Sequence, residues 1–162
     1  MTLQELRQVT AQKRWASHAL SLISTQPPST RSAEDLGTYW VEAGHHIREQ
    51  LADDGLLVQL LRHILPPYDG GEMILYRGEN QERWESCKVG PAWTSNPHTA
   101  KMFARGLNAV GRGGVLLKGS FDSRAIISGP NGHSHYLSES QFTVDPTFAI
   151  AVTAVEFFPA VK

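Results

Sequence analysis

The sequence predicts an α+β fold, and three observations carry that expectation. Apolar residues recur at helical spacing from Trp15 to Leu65. Short runs of β-branched and aromatic residues take over between Met73 and Phe158. Apolar side chains make up 41% of the 162 residues and charged ones 19%, an ordinary globular balance that can bury one core. Helices first and strands afterwards fit a single α+β domain, helical over residues 1–69 and β-rich over residues 70–162.

The helical part contains three amphipathic patterns. Trp15, Ala19, Leu22 and Ile23 share one face, and Pro27-Pro28 ends that pattern. Ser32 and Asp35 suit a capping-box variant opening a second helix, whose stripe is Leu36, Tyr39, Trp40, Ala43 and Ile47. After Gly55 a third stripe runs through Leu57, Leu60, Leu61, Ile64 and Leu65. Pro66-Pro67 and Gly70-Gly71 close this region.

Strands are expected at 73–76, 92–95, 115–119, 125–127, 141–144 and 151–158, with 79–91 irregular. Asn96 followed by Pro97 marks a helix start, Asn at the cap and Pro at the first position. Ala100, Phe103, Ala104 and Leu107 would face the core from that helix. Gly111-Arg112-Gly113-Gly114 reads as a turn and not a dinucleotide fingerprint, because no strand precedes it and no helix follows.

Bulk properties exclude some classes. Fifteen basic against sixteen acidic side chains leave a charge of −1, which argues against a dedicated duplex-DNA binder. No apolar run reaches the length of a membrane span, and the first residues lack the layout of a signal peptide. The lone Cys87 cannot form an internal disulfide. These features give a cytoplasmic protein as the expectation, with no membrane partner.

Three segments carry polar groups that suit chemistry. Arg77, in Leu75-Tyr76-Arg77-Gly78-Glu79, ends a predicted strand, and its guanidinium suits bidentate phosphate binding. Trp93-Thr94-Ser95 places hydroxyls at a strand end, although Ser95 or Asn96 also suits capping of the following helix. In Glu139-Ser140-Gln141-Phe142-Thr143-Val144, Glu139 and Gln141 are two apart and would point to one side of a strand. Each segment alone is ordinary: a turn arginine, a capping serine, a solvent-facing strand.

Taken in order, the three segments resemble the arginine–serine–glutamate class of ADP-ribosyltransferases. The resemblance covers roughly residues 70–158. It implies a core of two packed, mainly antiparallel β-sheets around an NAD cleft, preceded by the N-terminal helices. It further implies NAD as substrate, bound by Arg77 with Tyr76, Gly78, Thr94 and Ser95. Gln141, Glu139 and Ser95 would occupy the catalytic positions. Tyr136 and Glu139 would meet the acceptor, a protein or a nucleic acid. A toxin or defence effector with a neutralising antitoxin is the implied setting.

Two residues depart from the family pattern. Trp93 leaves the Ser-Thr-Ser triplet incomplete. Gln141 stands where the resemblance calls for the catalytic glutamate. It keeps the shape of glutamate and its hydrogen-bonding reach while losing the charge that stabilises an oxocarbenium-like transition state. A natural pseudoenzyme and a glutamate-to-glutamine replacement that silences a toxic transferase both remain open, the second being favoured. His133 and His135 have metal-ligand spacing, but zinc wants at least three protein ligands, so no metal is expected. Lys101, Arg105 and Arg112 are the candidates for a local basic patch.

Overall fold

The structure, a computed structural model, describes residues 1–148 and 151–161. The chain divides into two compact units, Met1–Pro67 and the segment from Tyr68 onward.

The first unit has four helices: α1 (Leu3–Ala11), α2 (Trp15–Ile23), α3 (Thr30–Leu51) and α4 (Asp54–Ile64). The weakly apolar α1 escaped the periodicity reading. A capping box starts it, with Thr2 accepting from the Glu5 backbone while Glu5 accepts from that of Thr2. The α3 stripe is buried as expected, but the helix begins earlier, at Ser29 as cap, and kinks at Ala43. Asp53 caps α4 by accepting from the Leu56 backbone. Thr10 is a polar hub of this unit. Its hydroxyl accepts from the Trp15 indole and the Tyr39 phenol, each at 2.7 Å. Its carbonyl accepts from Gln50.

The second unit is built on one sheet. Its strands are β1 (Met73–Asn80), β2 (Ala92–Thr94), β3 (Gly114–Phe121), β4 (Ile126–Ser128), β5 (Gln141–Val144) and β6 (Ala151–Phe158). They run in the order β4-β5-β2-β1-β3-β6, and every pairing is antiparallel. Three helices interrupt the strands: α5 (Gln81–Glu85), α6 (Pro97–Arg105) and α7 (Gly132–Tyr136).

This architecture corrects the expectation of two packed sheets enclosing an NAD cleft. The β1–β3–β6 half and the β2–β5–β4 half are one continuous sheet. The physical link is the backbone pair Tyr76↔Thr94, the one register pair between β1 and β2 among the described residues. By contrast, β1 and β3 pair along eight residues.

Alternation along the strands gives the sheet two faces. The back face carries Leu75, Trp93, Val115, Leu117, Phe142 and Val144, all in one buried cluster with Phe121 and Ile126. The front face carries Leu116 and Phe158, which pack with Ala100 and Ala104 of α6. That helix starts as expected, capped by the Asn96 side chain with Pro97 in its first turn. It lies so close that a Cβ on Gly78 would collide with the Ala100 carbonyl and the Ala104 nitrogen. Only glycine admits this approach. Leu107, expected to face the core, lies beyond the end of α6 and is exposed.

Candidate functional site

Long-range pairing brings together residues that are distant in sequence. Gln141 stands opposite Thr94, Thr94 opposite Tyr76, Tyr76 opposite Lys118, and Lys118 opposite Thr153. Residues directly opposite in an antiparallel sheet share a face. Gln141, Thr94, Tyr76, Lys118 and Thr153 therefore form one row across five strands of the front face, beyond the end covered by α6. Thr94 is buried, Tyr76 and Gln141 are half-buried, and Lys118 and Thr153 are exposed.

Hydrogen bonds fix the Gln141 end of the row. The Thr94 hydroxyl donates to the Glu139 carbonyl at 2.7 Å and accepts from the Asn96 backbone at 3.1 Å. The Thr99 hydroxyl reaches the Ser138 carbonyl at 3.4 Å. The segment before β5 is thereby tied to the β2–α6 corner. The same segment turns back on α7, where the Ser134 carbonyl accepts from the backbone of both Glu139 and Ser140.

Glu139 does not share a strand with Gln141, contrary to the two-residue alternation read from sequence. β5 begins at Gln141, and Ser138 and Ser140 have φ of 59° and 43°. These left-handed residues reverse the chain, so the period-two rule fails there. Glu139 is half-buried, and burial raises its carboxyl above the ordinary range, with the His133 charge opposing in part.

Arg77 leads away from this row. It stands opposite Leu117 on the back face, one residue out of phase with Tyr76. Its Nε donates to the Glu79 carboxylate at 2.7 Å and its guanidinium to the Ala92 carbonyl at 2.5 Å. The guanidinium thus fills the fork where β1 and β2 part. Glu79 is fully buried and also accepts from the Gly90 and Asn80 backbones. Burial opposes its ionisation, but the Arg77 charge and these hydrogen bonds outweigh burial and hold its carboxyl below the ordinary range.

The remaining sequence candidates scatter. Gly78 lies buried under α6, and its carbonyl accepts from Asn108. Ser95 is exposed just past β2, while Asn96 takes the capping role. Tyr136 is 82% exposed on α7, its ring stacked on His133 with centroids 6.3 Å apart. Of the basic trio, Lys101 pairs with Glu156 and Arg112 with Glu85. Among the described residues no three or more His, Cys, Asp or Glu side chains converge as a metal site would need. No helix among them is long and apolar enough to cross a membrane.

Sequence reasoning brought Tyr76, Thr94 and Gln141 into consideration and missed Lys118. The available signal was a single charge inside an otherwise apolar run, Val115-Leu116-Leu117-Lys118-Gly119. Its meaning depends on register, which the run itself does not contain. Comparison of the chain with protein-family models, with curated proteins and with solved structures gives no match.

Proposed function

We propose that this chain is an NAD-binding domain of the ADP-ribosyltransferase type, with the nicotinamide riboside end of NAD held on the front face at Gln141. The observation that carries the reading is the direct opposition of Thr94 and Gln141, with the Thr94 hydroxyl pinning Glu139 beside them. The Gln141 amide and the Thr94 hydroxyl stand on adjacent strands at one corner of the sheet, and that hydroxyl holds the Glu139 backbone there. Such a corner suits a ribose, whose hydroxyls both donate and accept.

In the transfer itself the ribose–nicotinamide C–N bond breaks and its electron pair leaves with nicotinamide. The acceptor's nucleophile bonds to the same carbon and gives up its proton. Positive charge grows on the ribose in between. The Gln141 amide hydrogen-bonds without countering that charge, so the present sequence binds NAD and cleaves it slowly. Glu139, raised by burial, is the base on the acceptor side. The ion pairs of Lys101 and Arg112 favour a protein acceptor over a nucleic acid.

A second reading is a binding module that never turns over. The observation favouring it is the commitment of Arg77 to Glu79, which keeps that guanidinium off the front face. One comparison separates the two. NAD binding is measured by calorimetry, and nicotinamide release is measured for the chain and for Gln141→Glu. Binding with release gained in Gln141→Glu supports the transferase. Binding without release in either form supports the module. Absence of NAD binding overturns the transferase and leaves only a module that binds a partner without NAD.

A further inference from the structure

We infer that Lys118 is the cation that receives the diphosphate of the dinucleotide on the front face. This rests on the NAD reading above and deepens it.

Four observations lead there. Lys118 lies in the same row as Gln141 and Thr94, with Tyr76 between. Adjacent strands are about 4.8 Å apart, so its backbone stands roughly 14 Å from that of Gln141, three strands away. The four-carbon stem of lysine is long and flexible enough to cover part of that gap. A dinucleotide laid along the row then sets ribose at Gln141 and diphosphate near the ammonium group.

Second, Lys118 is the single exposed position of β3, whose other residues are buried or half-buried. Lys118 is thus open to solvent among buried neighbours. Third, none of the ion pairs among the described residues includes Lys118. Nearby cations of this unit are already matched: Arg77 with Glu79, Lys101 with Glu156, Arg112 with Glu85. The front-face row holds a positive charge and no carboxylate, which complements a dianionic linker.

Fourth, Tyr76 provides the floor. Tyr76 packs against the Ala100, Ala104, Leu116 and Phe158 cluster and is half-buried. A flat, supported aromatic surface between the amide and the ammonium group gives the ligand's middle something to lie on. Arg77 offers none of this, because it leaves β1 on the other face.

The test is calorimetric titration of NAD and of nicotinamide riboside, which has no phosphate, into the unaltered chain, Lys118→Gln and Lys118→Arg. Lys118 is exposed, so both variants should melt with the unaltered chain. The expected result is a loss of NAD affinity of roughly tenfold in Lys118→Gln, about the weight of one charged contact. The loss should be largely recovered in Lys118→Arg, with riboside binding equal in all three. Equal NAD affinity in the chain and Lys118→Gln would overturn the Lys118 assignment and leave the NAD reading standing. An unaltered chain that binds no NAD would overturn the NAD reading and this inference together.

Discussion

Tyr76 stands opposite Thr94 in the one register pair joining β1 to β2 among the described residues, and the neighbouring Arg77 bridges the same two strands where the pairing stops. One residue of phase separates the two roles. Tyr76 faces the front row with Gln141, and Arg77 faces the back with Glu79. Substitutions at this seam should therefore divide by face, those on the front changing ligand binding and those on the back changing stability.

Gln141→Glu is expected to raise nicotinamide release from NAD by about a hundredfold to a thousandfold, the scale of one well-placed electrostatic group. The change adds no bulk, so the melting temperature should stay near that of the unaltered chain. Release is measured with NAD alone and with cell extract supplying an acceptor. A rate equal to that of the unaltered chain in both conditions would remove the transferase reading.

Glu79→Gln should cost about 3–5 kcal/mol of stability, because it leaves the Arg77 charge largely buried with no counter-charge. Arg77→Lys should cost less, since it keeps the charge while losing the fork that reaches both Glu79 and Ala92. Denaturant unfolding of each variant measures this, and NAD titration of Arg77→Lys tests the division by face. A large loss of NAD affinity in a well-folded Arg77→Lys would place the phosphates on the back face.

The pH dependence of stability should carry the mark of Glu79. Its carboxyl titrates below the ordinary value of 4.5 in the folded chain. The folded state thus binds this proton less readily than the unfolded one. The stabilisation is present above 4.5 and is lost as pH falls through the folded value. Unfolding midpoints followed from neutral pH into this acid range should decline, and Glu79→Gln should flatten that decline. An equally steep decline in both forms would assign the acid sensitivity to other carboxyls.

Glu139 gives a prediction of opposite sign. Burial raises its carboxyl above 4.5, so it becomes a base only as pH climbs through that higher value. In the Gln141→Glu background, transfer to an acceptor should rise with pH across that interval. Glu139→Ala should remove the rise and reduce transfer more than simple NAD hydrolysis. Parallel losses of both activities would place Glu139 on the NAD side of the reaction.

The sequence by itself determined what local physics controls. The Asn96-Pro97 start of α6 was legible because capping needs only neighbouring residues. The α3 stripe from Leu36 to Ile47 was legible because helical periodicity is a property of one segment. Thr94 drew attention as a hydroxyl at a strand end, Gln141 by its spacing from Glu139, and Tyr76 only through the family resemblance. Tertiary structure alone decided which of them meet. Whether β1 and β2 belong to one sheet or two depends on a contact between Tyr76 and Thr94, eighteen residues apart, and that pairing made the sheet continuous. Whether Arg77 or Lys118 shares a face with Gln141 depends on register, where a shift of one residue exchanges the faces. The break between Glu139 and Gln141 came from Ser140 held at positive φ, a conformation its type does not announce. Pairing between remote strands selects among many registers that each strand tolerates equally well alone, so the row from Gln141 to Lys118 became visible only once the strands were assembled.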